Sequence, residues 1–192
     1  MIKTNYLDQF IKDIDQMIGD VNRYFYYLEE AELNAQPKEG SWSILQCMEH
    51  LNLTNYFYVK QLKKKVGSSP EARYEEPVSM TWRGRLLTRT MEPRQGKVRF
   101  KMPTLKMLTP QNALNKEHRL LERVVFQNWM DDMTELKRII EEARHKKVGP
   151  VRIKTFFGPL VKLGFLDAIS FALAHNKRHI LQAQKALENI RG

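Results

Sequence analysis

Two histidines stand four positions apart in "FALAHNKRHILQ", residues 171–182. In an α-helix this spacing puts His175 and His179 on one face, with their Cβ atoms roughly 6 Å apart. Two neutral imidazoles so placed can share a divalent ion at about 2.0–2.1 Å. Two ligands on one helix do not hold an ion tightly, so a third must come from elsewhere in the chain. The flanking Phe171, Ala172, Leu173, Ala174, Ile180 and Leu181 give this stretch the apolar face of a packed helix.

Three further histidines compete for the third place. His50 flanks the apolar stripe of another helical stretch, and only tertiary packing could bring it to a partner 125 residues away (175 − 50). His118, in "NKEHRLLE", and His145, in "EEARHKK", have charged neighbours that suit a solvated surface. His50 is therefore the candidate, giving a set of His50, His175 and His179. Cys47, three positions before His50, offers either a thiolate or a small residue buried on the stripe, and the second reading is preferred. No Gly-rich phosphate loop, G-x-S-x-G elbow or C-x-x-C pair occurs, which removes several enzyme classes.

These residues need helices to carry them. Apolar residues at Leu7, Phe10, Ile14, Met17, Val21, Phe25 and Leu28 predict a first helix from Asn5 to about Leu33. "NAQPKEG" breaks it. Ser43 caps a second helix from Ile44 to about Lys65. Residues 67–109 read as a long crossover, with "MTWRGRLLTRTM" a short helix inside it. A third helix restarts at Thr109-Pro110 and runs to about Lys147. "GPVRIKTFFGPLVKLGF" reads as a second connection, and a last helix spans Gly164 to Asn189. Four long amphipathic helices without convincing strand pairs predict an all-α bundle in one domain, residues 1–192.

The chain has 192 residues, 42% apolar and 28% charged, which is globular composition. Lys and Arg number 32 against 22 Asp and Glu, a net charge of +10. That surplus suits a small anionic substrate, acidic lipid or nucleic acid. The densest runs, "KKK" at 63–65 and "RHKK" at 144–147, fall at predicted helix ends, where the helix dipole favours cations, so nucleic-acid binding is not the expectation. A lone cysteine excludes an internal disulfide and suits a reducing cytoplasm. No apolar stretch is long enough to span a membrane. Trp129 and Met130, off the main stripe of the third helix, predict a homodimer face.

"GSWSILQCMEHL" (40–51) and "FFGPLVKLGFLDAISFALAHNKRHILQAQKAL" (156–187) together resemble the DinB/YfiT-like superfamily. The likeness covers the ends of the domain well and the crossover poorly. It implies a four-helix bundle in up-down-down-up order, with the long crossover between helices 2 and 3. It also implies one divalent metal held by His50, His175 and His179, and zinc and nickel both suit three histidines. Relatives include thiol-dependent S-transferases, isomerases and metal-dependent hydrolases, so the resemblance implies a small-molecule substrate, for instance a low-molecular-weight thiol. The alternative is a non-catalytic basic helical module that binds an anionic partner such as nucleic acid. Arg178, Arg83, Arg85 and Arg89 are candidates to steer an anionic substrate. Gln182 is the expected partner of His179, and Trp42 reads as a packing residue.

Overall fold

The computed structural model describes residues 3–72, 77–98, 104–110 and 121–192, with Pro159 described in its backbone only. The described chain is mostly helical. Its elements are α1 (Lys3–Phe25), α2 (Glu30–Asn34), α3 (Ile44–Gly67), α4 (Trp82–Met91), a 3-10 turn (Lys106–Leu108), α5 (Val124–Ala143), strands β1 (Arg152–Thr155) and β2 (Gly158–Gly164), and α6 (Phe165–Arg191). Helix α3 packs on α5 and α6, α1 packs on the same two helices, and α4 lies against α6.

The helical periodicity is realised as burial. Leu7, Phe10, Ile14, Met17, Val21 and Phe25 all face the core from α1. The first helix nonetheless stops eight residues short of the predicted Leu33, then resumes as α2. The break has a physical cause. Tyr26 N and Leu28 N donate back to the Asn22 and Phe25 carbonyls, at 3.2 and 3.3 Å, and the Arg123 side chain donates to the carbonyls of Tyr26 (2.9 Å) and Leu28, which holds the turn that carries Leu28 into the core. Helix α3 begins as predicted. Ser43 Oγ accepts from Gln46 N at 3.2 Å, and Gln46 Oε1 accepts from Ser43 N at 2.9 Å, a reciprocal cap. The third helix, predicted from Thr109-Pro110, is corrected: neither residue is helical, nor are residues 121–123, and the described helix begins only at Val124, while residues 111–120, His118 among them, lie outside the described residues.

The all-α expectation is corrected by a small antiparallel sheet, β1 with β2, in which Ile153 faces Leu163. "RIKT" alternates exposed and buried, so Ile153 and Thr155 enter the core while Arg152 and Lys154 meet solvent. The signal is only four residues long. The hairpin turns at Gly158, whose φ of +114° suits a residue without a side chain.

The crossover is anchored at α4. Thr81 Oγ caps this helix by accepting from Gly84 N at 3.0 Å, and donates to Asp167 at the start of α6 at 2.8 Å. Thr81 N also donates to Asp167, at 2.9 Å. The contact is so close that a Cβ at Gly84 would stand 2.1 Å from Asp167 Cγ. Asparagines fasten the interior. Asn55 and Asn176 exchange two amide hydrogen bonds, at 3.2 and 2.8 Å, and Trp129 Nε1 donates to Asn176 Oδ1 at 2.8 Å. Three helices thus share one polar knot. Trp129, expected on an exposed dimer face, is fully buried in it.

Helix α5 carries one strained titration. Burial, and then the neighbouring Asp131, raise the Asp132 carboxyl from 3.8 to about 6. Between these two values the folded protein holds a proton that the unfolded chain has released, so stability is lost as pH rises from about 4 to 6. Asp132→Asn is expected to raise the melting temperature by a few degrees, roughly, at pH 7.5 and to leave it unchanged near pH 3.5. Equal shifts at both pH values in calorimetric melts would remove this electrostatic explanation.

Candidate metal centre

His50 comes from the second turn of α3, and His175 and His179 from the middle of α6. The asparagine knot lies one helical turn beyond His50 and one residue beyond His175, so it fixes the register of α3 against α6 where the imidazoles meet. Their ring centroids stand 5.0 Å (His50–His175), 4.4 Å (His50–His179) and 4.6 Å (His175–His179) apart. One ring nitrogen from each lies within 4.8 Å of the others. The structure therefore brings together all three histidines singled out in the sequence. His145 stays exposed beyond the end of α5.

The tautomer of His50 follows from its partner. His50 Nδ1 lies 2.6 Å from the Leu108 carbonyl, which can only accept. Nδ1 therefore carries the proton, and Nε2 presents a lone pair. That lone pair points to His175 Nε2 at 3.3 Å. Two ligand nitrogens on one tetrahedral ion, each at about 2.1 Å, stand about 3.4 Å apart, so this spacing fits a shared cation. His179 Nδ1 is buried with no hydrogen-bond partner. The electrostatics agree. Burial holds His50 below its ordinary value, with the Leu108 bond opposing. Burial first, then His50 and Arg178, lower His175 to about 3. Burial first, then His175, His50 and Arg178, push His179 well down, with the Gln182 side chain working the other way. The cluster is neutral at physiological pH, as ligands must be. It could hold a metal ion.

The histidines line a cavity of about 700 Å³ between α3, α6, the crossover and the hairpin. Trp42, expected to pack at a helix end, is part of its wall, 5.1 Å from the His50 ring and 6.1 Å from that of His179. Of the arginines considered for steering, Arg178 lines this cavity, whereas Arg83 lines a second one and Arg85 and Arg89 are exposed on α4. Cys47 is fully buried, and burial pushes its thiol upward, so it remains a protonated core residue rather than a nucleophile. Sequence reasoning missed the Leu108 carbonyl, because a main-chain acceptor leaves no mark in residue type. It also missed Thr54, Tyr58, Phe156 and Phe157 as lining residues. His50, Thr54 and Tyr58 recur every four positions, and that period was the available signal.

Tyr58 adds a test. Its hydroxyl is buried without a hydrogen-bond partner, and burial raises the phenol, so it stays protonated. Tyr58→Phe is expected to stabilise the ligand-free protein by about 1 kcal/mol, or about 2–4 °C, because an unmade buried hydrogen bond is removed. A lower melting temperature for the variant would mean that the hydroxyl has a partner in solution.

Among the described residues, no helix is long and apolar enough to cross a membrane. No curated protein and no solved structure matches the chain. The profile of the DinB superfamily matches residues 13–183, a span that includes all three converging histidines. Taken with the helices that carry them, that match places the chain in the DinB superfamily.

Proposed function

We propose that this protein is a metal-dependent enzyme in which His50, His175 and His179 hold one divalent ion, zinc or nickel, and that it transfers a low-molecular-weight thiol to an electrophile. The observation that carries the reading is the convergence of three neutral imidazoles on the wall of a large cavity. A non-catalytic basic module has no need of such an arrangement. The four long helices are read as the superfamily's up-down-down-up bundle, forming one domain, which the packing of α1 and α3 against α5 and α6 supports.

When bound, a divalent ion with three protein ligands keeps open positions and makes a coordinated thiol or water more acidic. The chain's own residues do the rest. The Leu108 carbonyl holds His50 in the tautomer that leaves Nε2 available. Arg178 and Lys185 place positive charge in the cavity for the carboxylates of a thiol such as bacillithiol or glutathione. Trp42 covers the histidines from one side and limits access of water. In the transfer itself the S–H proton leaves to solvent, a carbon–sulfur bond forms, and the bond to the leaving group breaks with its electron pair. Hydrolysis is the other reaction such a site supports, with water in place of the thiol.

The reading is tested by metal analysis of purified protein beside His175→Ala, together with thiol consumption measured against monobromobimane. Expected are one bound ion per chain in the wild type, its loss in the variant, and a thiol-dependent rate abolished by both chelation and His175→Ala. A rate indifferent to both would overturn it. Ester hydrolysis without thiol consumption would replace transfer by hydrolysis.

A further inference from the structure

The cavity has two unlike ends, and the order of residues along α6 fixes which is which. Phe171, His175, Arg178, His179, Gln182 and Lys185 all line it. At about 1.5 Å of rise per residue, Phe171 lies about 9 Å before the midpoint of the histidine pair and Lys185 about 12 Å after it. Helix α3 runs the opposite way alongside. His50 meets the histidine pair, while Tyr58 meets Phe171, with ring centroids 6.0 Å apart.

The Phe171 end is built of rings. Phe156 stands 5.2 Å from Tyr58, and Phe157 stands 6.1 Å from Phe171. Phe156 and Phe157 form the turn of the β1–β2 hairpin, and Phe157 is 44% exposed, so apolar surface faces the cavity mouth. The other end carries Arg178, Gln182 and Lys185, joined by Gly40 and Ser41 from the loop before α3. The histidines sit between the two. The crossover adds Lys97 and the apolar Met91, Val98 and Leu105 to the lining; along the α3–α6 axis the cavity is apolar at one end and cationic at the other, and it selects ligands by both features together.

We infer that this cavity takes an amphipathic substrate laid lengthwise across the histidines. Its carboxylate or other anionic part lies against Arg178 and Lys185, and its aryl or alkyl group lies among Phe156, Phe157 and Phe171. The inference rests on the metal-dependent reading only for the position of the reacting bond, since the two-ended shape stands on the lining residues. For thiol transfer it divides the reactants. The anionic thiol occupies the Lys185 end, the electrophile carries the apolar group, and the thioether product spans both. The hairpin turn then acts as a specificity element, because it supplies two of the rings.

Calorimetric titration of zinc-loaded protein with 8-phenyloctanoate, 8-phenyloctan-1-ol and octanedioate separates the two ends. These probes carry, respectively, a ring with one anion, a ring alone, and anions alone. Burying a phenyl ring contributes enough for about a tenfold preference, so 8-phenyloctanoate is expected to bind about tenfold or more tightly than either of the others. Phe157→Ser is expected to remove most of its advantage over octanedioate. Lys185→Glu is expected to remove most of its advantage over the alcohol. Both positions are partly exposed, and unchanged melting temperatures would show that the fold is retained. Equal binding of the three probes, no binding by any, or a preference that both variants leave intact would overturn the inference. Repeating the titration on chelated protein keeps the two ideas apart. A probe preference that survives chelation shows that the two-ended cavity stands on its lining alone, whereas a thiol-dependent rate that survives chelation and His175→Ala would refute the metal-dependent reading and leave the cavity standing.

Discussion

Adding zinc or nickel to the chelated protein at pH 8 is expected to raise its melting temperature by about 5–10 °C. The size follows from linkage. An ion at about a hundred times its dissociation constant stabilises the fold by about 2.7 kcal/mol, and a chain of this length gains about 2–4 °C per kcal/mol. His50→Ala and His179→Ala should abolish most of the shift, because each leaves only two ligands. His145→Ala should keep it, since that side chain is exposed away from the cluster, and His118→Ala is expected to keep it on the sequence reading. Metal-loaded and chelated protein alike should lose stability toward pH 5. All three imidazoles are held below their ordinary 6.5 in the folded chain. A base with a lowered folded value contributes stability that is fully present above 6.5 and is lost as pH falls below it, because the unfolded chain takes up the protons. Protons compete with the ion for the same nitrogens only below those lowered folded values, about 3 for His175, so the metal-induced shift itself should largely persist to pH 5. Differential scanning fluorimetry across pH 5–8 reads both effects. An equal metal response in all four variants would mean that the ion binds elsewhere.

The second large effect lies in the core. Asn176→Ala is expected to cost about 3 kcal/mol and to lower the melting temperature by about 10 °C. The substitution strands Asn55 and the Trp129 Nε1–H, both buried, and opens a void where the amide stood. Asn55→Ala should cost less, because Asn176 would still hold Trp129 and the Ala172 carbonyl. The knot also sets the register that brings His50 to His175, so Asn176→Ala should weaken metal binding in the fraction that remains folded. Chemical denaturation gives the first quantity and metal titration the second. A loss under 1 kcal/mol would show that water replaces the amide without penalty.

Much of this was legible in the residues and some was not. The stripe of α1 and the Ser43 cap are local patterns, and both appear where the periodicity puts them. The H-x-x-x-H spacing is local too, and it gave His175 and His179. His50 was reached by elimination and by resemblance, since nothing within α3 itself points to a partner so far along the chain. The hairpin was missed because "RIKT" offers only four residues of alternation between two Gly-Pro signals that read as loop. Trp129 was taken for a surface residue although it stands four after Val125 and four before Met133, on the stripe that α5 buries, so its burial was legible. What a hydrophobicity pattern cannot register is the hydrogen bond from its indole to Asn176 on another helix. The Leu108 carbonyl was invisible for the same kind of reason, as every residue has one.

That carbonyl joins two things that are usually separate. The turn at Lys106–Leu108 belongs to the crossover, the part of the chain with the weakest pattern, yet its Leu108 carbonyl holds the outer nitrogen of His50. The basicity of the inner nitrogen is thus set by the path of a loop. If the histidines hold an ion as proposed, a substitution in that loop shifts affinity for it while every histidine stays in place. In the divergence of such proteins, the crossover would then be a tuning element, free to change in sequence as long as it returns one backbone oxygen to His50, and able to retire the centre by failing to do so.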